Sequence, residues 1–158
     1  MPAYYPALFA AVREAIAAAW PECVPSIIWH RTELLSVPFE SRVDAMRLPL
    51  AVIDYQLLPS PLWGLQNDAE LGPVTIWRVQ ERDDDLDSLV AKLELLRTYV
   101  RENGLNYPAS GAQLREYPLL EFSIPPDLNQ YFLSTQKPFV AGAVMLEEVL
   151  VGEMPEAP

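Results

Sequence analysis

The sequence predicts an α+β fold, a mixed and mainly antiparallel sheet of about four to five strands with two helices packed against it. Three observations carry that expectation. One long amphipathic segment, Leu86 to Asn103, has helix signals at both ends. Several short runs rich in β-branched and aromatic residues are separated by prolines. A second amphipathic segment, from about Tyr5 to Trp20, supplies the other helix.

In chain order, Leu8, Val12, Ile16 and Trp20 recur at four-residue spacing with Ala15 and Ala19 on the same stripe, which predicts a helix from about Tyr5 to Trp20. Pro6 fits its first turn, where no backbone donor is lost, and Pro21 ends it. After the turn Pro21 to Pro25, Ser26-Ile27-Ile28-Trp29-His30 reads as a short strand. Residues 31–47 show no periodicity and read as a loop or a frayed edge strand. Pro49 to Ile53 is a continuous apolar run, as in a buried strand, and continues through Asp54 to Leu58 until Pro59, Pro61 and Gly64 end it.

Pro73 to Val79 alternates, with Val74, Ile76 and Arg78 on one face and Thr75, Trp77 and Val79 on the other. Asp83, Asp84 and Asp85 can cap the helix that follows and oppose the positive end of its dipole. In that helix Leu86, Leu89, Val90, Leu93, Leu96 and Val100 form one apolar stripe, while Lys92, Glu94, Arg97 and Arg101 are expected to point away. Gly104 suits the left-handed position that closes it. Ala112 to Ile124 reads as a strand with Leu120, Phe122 and Ile124 alternating against Glu121 and Ser123. Pro118 marks an edge or a bulge in it. Pro125-Pro126 breaks the run, Asp127 to Pro138 reads as a loop, and Phe139 to Val151 is the last strand. The expected organisation is one domain over 1–152 with a loose tail at 153–158.

Composition narrows the function. With 22 acidic and 11 basic side chains the formal charge is −11, which opposes stable nucleic-acid binding. No run approaches the roughly 18 apolar residues of a membrane span, so a soluble protein without a membrane partner is expected. Met1-Pro2-Ala3-Tyr4-Tyr5 lacks the basic start of a secretory signal, and the single Cys23 cannot form an internal disulfide. Both suit a reducing cytoplasm.

Reactive chemistry is sparse. His30 has no second histidine and no nucleophile motif beside it, and Cys23 has no basic neighbour in sequence to lower its pKa, so neither is assigned a catalytic role. Asp83, Asp84, Asp85 and Asp87 lack the alternation, glycine and terminal glutamate of a calcium loop, and read as a helix cap. There is no phosphate-binding glycine loop and no C-x-x-C pair. The expectation is no enzyme, no cofactor and no metal. The rival enzyme reading needs two carboxylates, for example Asp54 and Glu121, brought together across a sheet.

Interaction is the remaining class. Leu57 to Leu65 places bulky apolar residues in a connection, and Leu62, Trp63 and Leu65 are candidate interface residues. Tyr131 and Phe132 are the corresponding candidates in the second long loop, because aromatics commonly anchor interfaces. Both loops could instead fold back onto the core.

The order of elements resembles that of the tail terminator, or tail-completion, proteins of long-tailed bacteriophages and related contractile injection particles. The order in question is an N-terminal helix, a short strand, the Pro49 to Ile53 strand, the alternating strand with Val74-Thr75-Ile76-Trp77, the capped Leu86 to Val100 helix and a closing Lys137-Pro138-Phe139-Val140-Ala141 strand. The resemblance implies a non-enzymatic virion structural protein, a homo-oligomer forming a ring, commonly a hexamer. Such a ring caps the tail tube and joins it to the head connector, with assembly in the host cytoplasm before incorporation into the tail. DNA would pass through an acidic lumen without sticking. The 31–47 stretch and the long connection from Pro59 to Gly72 depart from that pattern. An adaptor or chaperone-like module that grips another protein without forming a ring is the alternative.

Overall fold

The computed structural model describes residues 4–29, 48–54, 57–59, 69–71, 74–82, 86–106, 112–133 and 137–150. In chain order they form α1 (Tyr4–Ala19), a 3-10 helix (Pro21–Ser26), β1 (Ile27–Trp29), β2 (Leu50–Asp54), β3 (Leu57–Pro59), β4 (Ala69–Leu71) and β5 (Val74–Glu81). They continue with α2 (Leu86–Asn103), β6 (Leu105–Asn106), β7 (Ala112–Glu121), α3 (Pro126–Leu133) and β8 (Phe139–Leu150).

The main sheet has six strands in the order β1-β2-β5-β8-β7-β6. Five of them, from β2 to β6 across the sheet, pair antiparallel, and β1 adds in parallel to β2 at one edge. The α+β class and the mainly antiparallel sheet agree with the sequence. The additional strand is the two-residue β6, too short to carry a periodic signal. β3 and β4 pair as a separate two-stranded ribbon in the connection from β2 to β5.

Alternation along the central strands loads both faces. Ala51 and Ile53 of β2, Val74 and Ile76 of β5, and Val144 and Leu146 of β8 meet Val12 and Ile16 of α1, Trp20 just after it, and Leu89, Leu93, Leu96 and Val100 of α2. On the other face Leu50, Val52, Trp77, Val79, Ala141 and Ala143 meet Leu128 and Phe132 of α3. Trp20 at the end of α1 donates its indole N–H to the Lys92 carbonyl at 2.6 Å, fixing α1 against α2. Gly104 has φ 64 and donates to the Val100 carbonyl at 2.8 Å, the left-handed helix end that a side chain would strain. Gly142 is required for a different reason: a Cβ there would lie 2.7 Å from Leu93 Cδ1 and 3.0 Å from Phe122 Cε1. Its absence lets α2 approach β8.

Four expectations need correction. The segment expected as a loop from Asp127 to Pro138 contains α3. Pro126 opens that helix at a position that needs no backbone donor, and Leu128 and Phe132, four apart, face the sheet together. The apolar stripe of α2 is narrower than its sequence suggests: Leu89, Leu93, Leu96 and Val100 are buried while Leu86 and Val90 are exposed. Arg97, expected to point away, turns toward the sheet, within 3.7 Å of Glu116 on β7. Finally, the strand expected to reach Ile124 ends at Glu121, whose Oε1 accepts from the amides of Phe122 and Ser123 at 2.9 and 2.7 Å. Those amides can no longer serve a ladder, so Phe122 remains on the α2 side while Ile124 packs with the α3 layer. The expected tail at 153–158 lies outside the described residues.

Candidate functional site

Polar groups that the core must satisfy converge on Arg78. Strand alternation forces this side chain into the α1–α2 face, where it is 4% exposed. Each nitrogen of its fork has a partner: Nε donates to Gln80 Oε1 at 2.7 Å, Nη1 to Cys23 Sγ at 3.1 Å, and Nη2 sits 2.9 Å from Glu22 Oε1. The guanidinium carbon lies 5.4 Å from the centre of the Trp20 ring, within cation–π range. Gln80 Nε2 passes the chain on to Ser88 Oγ at 3.0 Å, and Lys92 Nζ approaches Glu22 Oε1 at 3.2 Å. The cluster thus ties the 3-10 helix, β5 and the start of α2 together.

Its electrostatics favour locking over reactivity. Burial pushes the Cys23 thiol up to about 11, against the opposing pull of Arg78, so it stays protonated and unreactive near neutral pH. For Glu22 burial acts to raise the pKa, but a backbone hydrogen bond, the Lys92 hydrogen bond and the charges of Arg78 and Lys92 outweigh it. Its carboxyl is held below the ordinary 4.5. A neutral thiol and a paired carboxylate around an arginine held at each nitrogen provide neither nucleophile nor base.

The carboxylates named for the enzyme reading do not converge. Asp54 lies on β2 and Glu121 on β7, with β5 and β8 between them, so their backbones stand about 14 Å apart across the sheet and are offset by two residues along it. Glu121 is occupied by its two amides. Among the described residues no group of three or more His, Cys, Asp or Glu side chains is arranged to hold a metal. His30, Asp83, Asp84 and Asp85 lie outside the described residues.

Of the expected interface residues, Leu62, Trp63 and Leu65 lie outside the described residues, in the connection between β3 and β4. Tyr131 falls on α3, with its side chain outside the description. Phe132, expected as a surface anchor, is 0% exposed: its ring packs edge-on to Phe139 at 5.8 Å and tilted to Trp77 at 6.4 Å. The correction follows from α3, which turns Phe132 inward onto the second sheet face.

Sequence reasoning missed a different surface. Between Glu116 and Leu120, β7 advances four residues while β8 advances from Leu146 to Val144, so the ladder is interrupted. Tyr117 and Leu119 in this irregular stretch are 39% and 64% exposed, and Phe122 just beyond it is 49% exposed. β6 pairs only with Gln113 and Leu114, so no described strand borders the outer side of Arg115 to Glu121. Pro118 and the irregularity discourage indiscriminate strand addition there. Pro118 was the available signal, but a proline marks the irregularity without saying which neighbours it turns outward.

Comparison with known protein families, with characterised proteins and with solved structures finds no match.

Proposed function

We propose that this chain is a non-enzymatic structural subunit that assembles with copies of itself into a ring. In the setting that its element order suggests, the ring caps a phage-type tail tube and joins it to the head connector. The observation that carries the reading is a set of exposed apolar side chains, Tyr117, Leu119 and Phe122, strung along a sheet edge where Pro118 offers no N–H for backbone pairing. A side chain such as Leu119, 64% exposed, costs solubility unless something covers it. A contact made by side chains at one sheet edge, meeting a different surface of the next copy, is head-to-tail and closes into a ring when its rotation permits.

Supporting it, the polar cluster at Arg78 is buried and ties elements of the core together, and the charge of −11 suits a lumen through which a polyanion moves without sticking. The test is to place a charge where the contact is proposed. Leu119→Asp and Phe122→Asp, separately, should lower the mass measured by light scattering to that of the monomer while the circular dichroism spectrum stays that of the parent. A wild-type monomer at high micromolar concentration, or variants that assemble like the parent, would count against the ring.

A further inference from the structure

The turn that ends α2 carries a chemical vulnerability that the fold encloses. Among the asparagines of this chain only Asn103 precedes a glycine. Asn–Gly is the pair most prone to deamidation, because glycine has no side chain to shield its nitrogen from the asparagine side-chain carbonyl. The helix end requires the same glycine, since Gly104 has φ 64 and occupies the left-handed closing position. One residue therefore both closes the turn and opens it to chemistry.

We propose that Asn103-Gly104 is a deamidation site gated by the turn between α2 and β6, protected while the turn is closed and converted once it opens. In the reaction, solvent base removes the Gly104 amide proton and the nitrogen bonds to Asn103 Cγ. The Cγ–Nδ2 bond breaks and the side-chain nitrogen takes up a proton and leaves as ammonia. Water then opens the cyclic imide at either carbonyl, leaving aspartate or isoaspartate, with nothing oxidised or reduced. In the closed turn both reacting groups are engaged elsewhere. The Gly104 N–H donates to the Val100 carbonyl at 2.8 Å, and Asn103 Nδ2 donates to the Tyr99 carbonyl at 2.9 Å, which folds the side chain back along the helix. Asn103 is exposed, so water reaches it and the gate is the backbone. On either side of the glycine, Val100 and Leu105 are buried in one core cluster, and Leu105 pairs with Leu114 of β7. Freeing the Gly104 nitrogen thus requires a local opening that disturbs this packing, not the fraying of a loose end.

Conversion in turn favours the open state. A carboxylate at position 103 stands at the negative end of the α2 dipole beside the exposed Glu102, and it cannot donate to the Tyr99 carbonyl. The cleft at this helix end already sets Arg101 and Arg115 against Glu102 and Glu116, with Arg101 held by Glu116 at 2.8 Å, so the added charge is uncompensated. Isoaspartate goes further, because it inserts a carbon into the backbone and takes the Gly104 amide out of register with the Val100 carbonyl. A chain whose turn has opened therefore keeps a covalent, one-way mark of that opening.

The test incubates the full chain in mildly alkaline buffer, native and in concentrated urea, and follows the tryptic peptide 102–115 by chromatography and mass spectrometry, with Asn106 in the same peptide as an internal reference. Asn103 should convert at least roughly tenfold faster in urea than in the native chain. Leu105→Ala, which loosens the turn without touching the reacting pair, should raise the native rate and leave the urea rate unchanged. Leu105→Val makes the smaller cavity and carries the same comparison if circular dichroism shows that Leu105→Ala does not fold. Asn103→Asp should speed amide hydrogen exchange at Gly104 and leave that of Val79, buried in the middle of the sheet, as in the parent. No conversion in urea, equal rates in the native and unfolded chains, a native rate indifferent to the folded Leu105 variant, or Gly104 exchange that ignores Asn103→Asp overturns the proposal.

Discussion

Truncating Phe132 distinguishes core from interface at the residue where sequence and structure disagree. The side chain is fully buried between α3 and the sheet, with Leu128 beside it and the rings of Trp77 and Phe139 against its own. Phe132→Ala removes an aromatic from a packed layer, which costs about 3–5 kcal/mol through lost transfer energy and the cavity left behind. The edge-on contact with Phe139, worth about 0.5–1.5 kcal/mol by itself, places the expected value in the upper part of that range, about 4 kcal/mol. For a chain of this length about 2–4 °C of melting temperature is lost per kcal/mol, so the midpoint should fall by about 8–16 °C. Urea unfolding followed by tryptophan fluorescence gives the free energy, and light scattering on the same samples gives the mass. A loss under about 1 kcal/mol together with a changed mass would refute the layering argument, because Phe132 would then be anchoring a partner and not the second face of the sheet.

Three further outcomes follow from the packing. Gly142→Ala should cost about 1–3 kcal/mol, since its Cβ would meet the fully buried Leu93, and Leu93→Ala in the same chain should recover part of the loss in a double-mutant cycle. Glu22 is depressed below its ordinary 4.5, so the stability it contributes is fully present above that value and is lost as pH falls through its folded pKa. Glu22→Gln should therefore destabilise the chain near neutral pH and converge with the parent in acid, and a constant difference from neutral to strongly acid pH would contradict this. Cys23, buried and pushed up to about 11, should resist iodoacetamide at about pH 8 in the folded chain and react quickly in urea; rapid labelling of the native protein would show that the Arg78 cluster opens readily.

Much of the architecture was legible where local and tertiary demands coincide. α2 announces itself because the periodicity of Leu89, Leu93, Leu96 and Val100 ends at Gly104, whose positive φ is the conformation its residue type suggests. The alternation of β5 likewise gives the face of each residue from Val74 to Val79, including Arg78. That the arginine is buried was not legible, because its partners Glu22, Cys23 and Gln80 come from two separate elements and meet only when α1 docks. α3 is hidden by its length: its eight residues, opening on the second of two prolines, offer a single inward pair, Leu128 and Phe132, which a loop could equally contain. The end of β7 at Glu121 depends on one carboxylate choosing the next two amides, a competition that periodicity does not register.

The same distinction explains the candidate surfaces. Bulky apolar residues in a connection suggest a contact at Leu62, Trp63 and Leu65, whereas Tyr117 and Leu119 are exposed at a strand irregularity and Phe122 just beyond it. Leu95, which lies outside the stripe expected for α2, is 52% exposed.

Electron micrographs of the purified chain, taken with and without Leu119→Asp, address the assembly claim directly. Closed rings of uniform subunit number in the parent, and single subunits in the variant, are the expected result. Single subunits in both, at concentrations where the chain is folded, or rings that persist in the variant, would contradict it.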